Sequence, residues 1–301
     1  MLEGTTRPNP MKKFLPILLI VAVLAGALFF MFPKHKAEAL SFEMKFKQGQ
    51  IDKYRMTMDM TMDMPDMPKN AGAPSKTTMN MTADMTQEVV SVNADGSAKI
   101  KAAVSNMNMN MPGMPGATMP TMPKIQYTMT MTKDGKITNF EGMENVPGMA
   151  MSGVDMKQMM NQMSGMLPGK LVSVGDTWKG KVAMPIGGNM EVVYELVSEN
   201  ESIGSQKVSK IKSNFNYDGD LADWAKKTGG NAGKMPPEMK GKVSMKGDGN
   251  TFFNRAEGKM VATDMVMDMT MNMEIPKGAM PGGQNNMNMN MKMKMRMEKV
   301  N

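Results

Sequence analysis

Cysteine is absent from the 301 residues, and histidine occurs once, as His35. Without cysteine there is no disulfide framework, thiol nucleophile, iron–sulfur cluster, zinc ribbon or acylated lipoprotein cysteine. One histidine leaves no multi-histidine metal site and little room for a Ser-His-Asp or Cys-His catalytic engine. Leucine is scarce, with 11 in the chain and 5 from Leu40 onward. Charge of one sign is also lacking. From Leu40 onward 31 basic and 27 acidic side chains leave +4, too mild a balance to argue for nucleic acid. No glycine-rich phosphate loop follows a strand pattern, and there is no nucleophile elbow. These absences point to a non-enzymatic protein.

Methionine is what the chain has instead, 47 of 301 residues and 44 of them from Leu40 on. Drift in nucleotide composition does not explain it, because a bias toward the single Met codon would carry isoleucine along, and isoleucine is not abundant.

Lys12 and Lys13 precede an uncharged apolar run from Phe14 to Phe32. Basic residues before such a run read as an export signal. Its 19 residues exceed a usual signal-peptide core and just suffice to span a bilayer. Ala37-Glu38-Ala39 has the small-x-small form of a signal-peptidase site, so cleavage after Ala39 and retention as a membrane anchor both stay open. Met1 to Pro10 reads as an extension before a Met11-Lys12-Lys13 start, and His35 as part of the basic boundary. Residues 1–39 are thus expected to be extension plus leader, and residues 40–301 a single extracytoplasmic domain in the cell envelope, the periplasm or the medium.

Past the leader, apolar and polar residues alternate over long stretches, as half-buried strands require. In KYRMTMDMTMDM, Tyr54 and Met56 through Met64 point one way, while Arg55, Thr57, Asp59, Thr61 and Asp63 point the other. The pattern returns at Met79–Met85, Met107–Met111, Tyr127–Met131, Met265–Met273 and Met287–Met297. Three linkers rich in Pro, Gly and Asn, PDMPKNAGAPSK, PGMPGATMPTMPK and IPKGAMPGGQNN, each join two such strands as antiparallel neighbours. Shorter hairpins are expected at Asn93–Gly96, Lys133–Lys136 and Pro185–Asn189. Between Asp155 and Leu167 the period shifts to i, i+3, i+4, i+7, predicting an amphipathic helix ended by Pro168-Gly169; a second short helix is expected over Leu221–Lys227. The expected fold is mainly β: a large antiparallel sheet of about ten strands, curled into a barrel or half-barrel, with one helix packed on it.

Lys45-Phe46-Lys47-Gln48-Gly49-Gln50 with Tyr54-Arg55, the turns Asp95-Gly96-Ser97-Ala98 and Asp134-Gly135-Lys136-Ile137, and Gly175-Asp176-Thr177-Trp178 after Val174 together resemble a bacterial exported family of unknown function. Its members open with a "KFKxGQ…YR" strand and carry "VGDTW" midway. The resemblance covers roughly Phe42 to Glu274. It implies a β-rich envelope domain and brings no activity and no catalytic residues. The chain departs from that pattern in its methionines, which stand where such strands ordinarily carry Leu, Val or Ile.

The MxM series is the constellation that carries chemistry. A thioether is a soft ligand that needs no deprotonation and selects Cu(I) over Zn, Mg or Ca. Methionines at i and i+2 share a strand face, and antiparallel neighbours bring opposed Cβ atoms to about 4.5–5.5 Å. The candidate ligands for Cu(I) or Ag(I) are Met56, Met58 and Met60; Met107, Met109, Met111 and Met114; and Met287, Met289, Met291, Met293 and Met295. Met67, Met114, Met119, Met122 and Met280 fall in the linkers, where no core explains them; there they suit transient metal ligation, a sticky contact or reversible oxidation to sulfoxide. The plainer expectation is that strand methionines form the core, since 5 leucines are too few for one, and that this core is plastic and doubles as an oxidant sink. A third expectation is a methionine-lined cradle for a lipid or other apolar ligand. Glu141 with Glu144, and Asp218, Asp220 and Asp223, read as turn and cap residues, and Trp178 and Trp224 as core anchors.

Overall fold

The computed structural model describes residues 38–66, 75–112, 124–142, 166–183, 189–221, 240–274 and 286–300. Eleven strands follow one another: β1 (Ile51–Asp63), β2 (Lys76–Val92), β3 (Ala98–Asn110), β4 (Ile125–Met131), β5 (Ile137–Glu141), β6 (Thr177–Ala183), β7 (Asn189–Ile203), β8 (Gln206–Asp220), β9 (Lys240–Asn254), β10 (Lys259–Glu274) and β11 (Asn286–Val300). They form one antiparallel sheet in the order β5-β4-β3-β2-β1-β11-β10-β9-β8-β7-β6. Two meanders are therefore sewn together along β1 and β11, from Lys53 opposite Val300 to Asp63 opposite Asn290. The alternation that defines these strands leaves one face apolar and one polar.

Each of the three long linkers joins an antiparallel pair, β1 with β2, β3 with β4 and β10 with β11, as the sequence suggests. The tight turns at Asn93–Gly96 and Lys133–Lys136 also form. In both, a glycine with positive φ, +80° at Gly96 and +76° at Gly135, closes the turn by donating its N–H to the carbonyl of Asn93 or Thr132, a backbone state that L side chains resist. Because the sheet is a meander, its two ends differ. One end gathers the short turns β2–β3, β4–β5, β7–β8 and β9–β10. At the other, strands leave for and return from the long linkers.

The sheet curls without closing into a barrel. Met44 donates its backbone N–H to the carbonyl of Lys133 in the β4–β5 turn, and the next residue, Lys45, donates to Gly258 in the β9–β10 turn. In the sheet β4 and β10 are five strands apart, about 24 Å if flat at the usual 4.8 Å spacing. Two consecutive residues reach both turns only if the sheet bends round them. The segment 40–46 thus straps the short-turn end on the inner side. It carries Leu40, bridged to Val172, and Phe42, 5.8 Å from the Phe253 ring, into one core, and Phe46 into another.

Several expectations need correction. The sheet, eleven-stranded among the described residues and so close to the expected ten, is open rather than a closed barrel, with β5 and β6 as edges. Lys45–Gln50 is not a strand: Lys45 bonds the β9–β10 turn at Gly258, and only Gly49 and Gln50 meet a strand, through the single residue Val89 of β2, before the turn that leads into β1. The core is not made chiefly of methionine. Of the larger cluster, Leu40, Phe42, Leu167, Val172, Trp178, Val192, Tyr194, Leu196, Ile211, Leu221, Val243 and Phe253 supply most members, joined by Met190, Met245, Met269 and Met271. The few leucines are enough because each described one except Leu171 is buried and aromatic rings fill the rest. The predicted helix 155–167 lies outside the described residues apart from Met166 and Leu167, as do the hairpin 185–188, all but Leu221 of the second predicted helix, the leader up to residue 37, and Trp224. Among the described residues no helix is long and apolar enough to cross a membrane.

The Gly-Asp-Thr-Trp motif proves architectural. Gly175 (φ +93°) donates to the Leu196 carbonyl, Asp176 accepts from the Ser173 N–H, and Trp178 stacks on Tyr194 at 5.7 Å while donating its indole N–H to the Met166 carbonyl. Burial pushes the Tyr194 hydroxyl up to about 12, so it stays neutral within the core.

Candidate functional site

Methionine is concentrated on the inner face, toward the long-linker end. Pairing aligns it in rows across the strands. Met109 lies opposite Met81, Met81 opposite Met58, Met58 opposite Met295, and Met295 opposite Met265. A second row runs Met79, Met60, Met293, Met267, and a third Met62, Met291, Met269, Met245. Shorter rows pair Met289 with Met271, Met287 with Met273 and Met56 with Met297. Because β11 is flanked by methionine strands on both sides, Met291, Met293 and Met295 each have a methionine neighbour to left and right.

β3 joins this face through a bulge. Asp84 pairs with Ser105 but Thr82 pairs with Asn108, so one extra residue sits in β3, and Asn106 adopts φ +51°. Asn is among the few side chains that tolerate this left-handed state. The insertion resets the alternation, so Ile100 and Ala102 below the bulge and Met107 and Met109 above it share one face.

Burial divides the methionines into two groups. Met129, Met190, Met245, Met269 and Met271 are buried, whereas every described methionine of β1, β2, β3 and β11 is only half-buried. The face is bounded on one side by Phe215, Tyr217 and Met245. Gly247 on β9 lies under the Phe215 ring: a Cβ there would come within 2.2 Å of the ring and 2.6 Å of the Val266 carbonyl. Aromatic cover of a strand glycine is a known device for bending sheets without losing packing.

At the strapped end the face closes in an ionic cluster. Asp52 lies 3.1 Å from both Lys259 and Lys299, Lys299 also reaches Glu257 at 3.7 Å, and Gln50 donates to Asp52. Burial works to raise the Asp52 pKa, but the hydrogen bonds from Lys299, Lys259 and Gln50 outweigh it and hold the carboxyl below its ordinary 3.8. Beside it, burial and the Asp52 and Glu257 charges push the Tyr54 hydroxyl far up. A depressed carboxylate adds stability above its unfolded pKa and loses it as the pH falls through its folded value. Asp52→Asn is therefore expected to destabilise the domain by about 1–3 kcal/mol at neutral pH, because it leaves two lysines short of a partner. The difference from wild type should shrink toward zero below pH 3.8, as read from urea midpoints across a pH series; a difference that persists unchanged in acid would refute this role for the charge.

Of the residues singled out in the sequence, Met56, Met58, Met60, Met109, Met287, Met289, Met291, Met293 and Met295 come together on this face. Met107 sits beside the bulge, Met111 follows the end of β3, and Met114 lies outside the described residues with the other linker methionines. Sequence reasoning left Met62, Met79, Met81, Met265 and Met267 out of the candidate set. Their alternation was visible, but their adjacency to β11 depends on a pairing between chain ends. Among the described residues no group of three or more His, Cys, Asp or Glu is placed to hold a metal ion. The outer face bears the charges, largely paired as Arg296 with Asp264, Lys292 with Asp268 and Arg55 with Asp84.

No family model matches the chain, and no curated protein matches it. Two solved structures with some likeness are one of lipid–protein interactions in lipovitellin and one from work on the asymmetric conductivity of engineered proteins. The first has a TM-score of 0.43 and 9% identity over 85% of this chain, which spans 26% of the lipovitellin chain. The second has a TM-score of 0.23 and 6% identity, covering 83% of this chain and all of that one. At these scores neither likeness carries an argument about fold or function.

Proposed function

We propose that the inner methionine face binds the acyl chains of membrane lipids, in an extracytoplasmic protein held near a membrane by its N-terminal apolar segment. The observation that carries this reading is the in-register block of half-buried methionines across β2, β1, β11 and β10. A contiguous apolar face that a protein leaves partly uncovered marks an interaction surface. Between Met56 and Met62 on β1, Met265 and Met273 on β10, and Met287 and Met297 on β11 the alternation sends Asp, Lys and Arg outward, so that stretch presents no charged group to an alkyl chain; the inward charges Asp52 and Lys299 stand beyond it at the strapped end. Methionine suits ligands of variable shape, being unbranched, flexible and polarizable. The ten-residue rise from Met287 to Met297 is about 33 Å at the usual strand rise, roughly twice the ~15 Å hydrocarbon depth of one leaflet, so whole chains fit along a strand. At the strapped end Phe42, Phe46 and the Asp52 cluster occupy the inner side.

The test is titration of the delipidated full-length chain with a fluorescent polyene fatty acid. Saturable binding that native phospholipid displaces is expected. Absence of saturable binding up to the probe's solubility limit would sink the proposal.

A further inference from the structure

The same face has a chemistry that an aliphatic surface would lack. We infer that β11 centres a soft-metal site in which thioethers of three adjacent strands hold Cu(I) or Ag(I), the rows Met58–Met295–Met265 and Met60–Met293–Met267 supplying the ligands. This inference is independent of acyl-chain binding.

Three features of the structure support it. The two rows are in register on β1, β11 and β10, so opposed Cβ atoms stand about 4.5–5.5 Å apart. Unbranched side chains with three rotatable bonds can bring three sulfurs from that spacing onto one ion. Second, these sulfurs are unengaged. Among the described residues the thioethers that accept hydrogen bonds are Met85, from Gln87 and Tyr127, and Met260, from Thr263, and neither belongs to the two rows. A lone pair already accepting a hydrogen bond is a poorer donor to a metal.

The third feature is segregation. Asp59, Asp264, Lys294 and Arg296 alternate with the methionines and so point to the opposite face, where Asp264 pairs with Arg296 at 3.1 Å. A hard divalent ion finds no oxygen ligand among the thioethers of the rows. A soft monovalent ion finds thioethers that need lose no proton on binding. The arrangement therefore selects Cu(I) and Ag(I) over Zn(II), Mg(II) and Ca(II), and its affinity should be nearly independent of pH, unlike that of His or Cys sites.

The experiment uses the full-length chain with Cu(I) under reducing conditions, in competition with a chromogenic Cu(I) chelator, and Zn(II) in parallel. The wild type is expected to withdraw Cu(I) and not Zn(II). M293L/M295L keeps the apolar surface but removes two sulfurs from the centre of both rows. It should weaken Cu(I) binding by about 100-fold or more, since losing a ligand costs more than the 10- to 100-fold typical of an outer-shell partner. M129L, in the smaller core, should leave Cu(I) binding unchanged. If M293L/M295L does not fold, M265L/M267L removes the same rows from β10 and carries the same expectation. A wild type that leaves Cu(I) on the chelator, takes up Zn(II) equally, or binds Cu(I) as well after M293L/M295L or M265L/M267L overturns the site. Retained fatty-acid binding in the leucine variant then separates failure of the metal site from failure of the lipid reading.

Discussion

Phe253→Ala is expected to lower the stability of the domain by about 3–5 kcal/mol, the usual cost of deleting a buried aromatic ring. Phe253 is fully buried, at 0% exposure. It stands on β9 opposite Met260 of β10 and Ser209 of β8, beneath the strap residue Phe42. Removing it creates a cavity and also undercuts the segment that holds the curl, since Lys45 bonds Gly258 in the turn just beyond. The thermal midpoint should fall by about 6–20 °C for a domain of this size, with the urea m-value unchanged. By contrast Met293→Ala, at a half-exposed site, should cost no more than about 1–2 kcal/mol. A Phe253→Ala effect below that of Met293→Ala would show that the load is not carried where the packing places it.

The second large effect is on ligand binding. Replacing three neighbours of the second row, M60N/M267N/M293N, sets three amides side by side in the middle of the inner face. Each offers donors and acceptors that an alkyl chain cannot satisfy, and burying an unpaired amide under ligand costs about 1–3 kcal/mol. One such penalty weakens fatty-acid binding by about 5- to 150-fold. Folding should survive, since Met60 and Met293 are not among the residues packed on the main core and Met267, which is, is itself only half-buried. The leucine counterpart, M60L/M267L/M293L, should bind the fatty acid nearly as wild type. Equal binding by the asparagine and wild-type proteins would remove the methionine face from the account.

The contrast between these two predictions follows from a division the amino-acid order only half reveals. Alternation from Met56 to Met62 and from Met287 to Met297 is a local property, set by the two-residue period of a strand, and it was legible, as were the hairpins at Asn93–Gly96 and Lys133–Lys136, whose glycines advertise positive φ. The pairing of β1 with β11 joins residues more than two hundred positions apart and has no local signal. That pairing turns separate MxM runs into rows four and five abreast. The bulge at Asn106 was equally hidden, although it decides which face Met107 and Met109 occupy. Lys45–Gln50, likened to an opening strand, instead continues a strap whose Met44 and Lys45 bond the turns at Lys133 and Gly258, contacts between distant parts of the chain that carry no local signal. Counting residues misled about the core for another reason: Leu196, Leu221, Ile211 and Phe253 fill it at nearly zero exposure, which frees most methionines for a surface.

The central claim is that the half-buried methionine rows, and not the outer face, are the ligand surface. Photolabelling reads this directly: the full-length chain is irradiated with a fatty acid carrying a diazirine near its methyl end, and adducts are mapped by peptide mass spectrometry. The account predicts labels on the methionines of β1, β10 and β11, competed away by unlabelled fatty acid. Labels confined to outer-face residues such as Lys294, Thr57 and Asp268, or labels that no competitor removes, would contradict it.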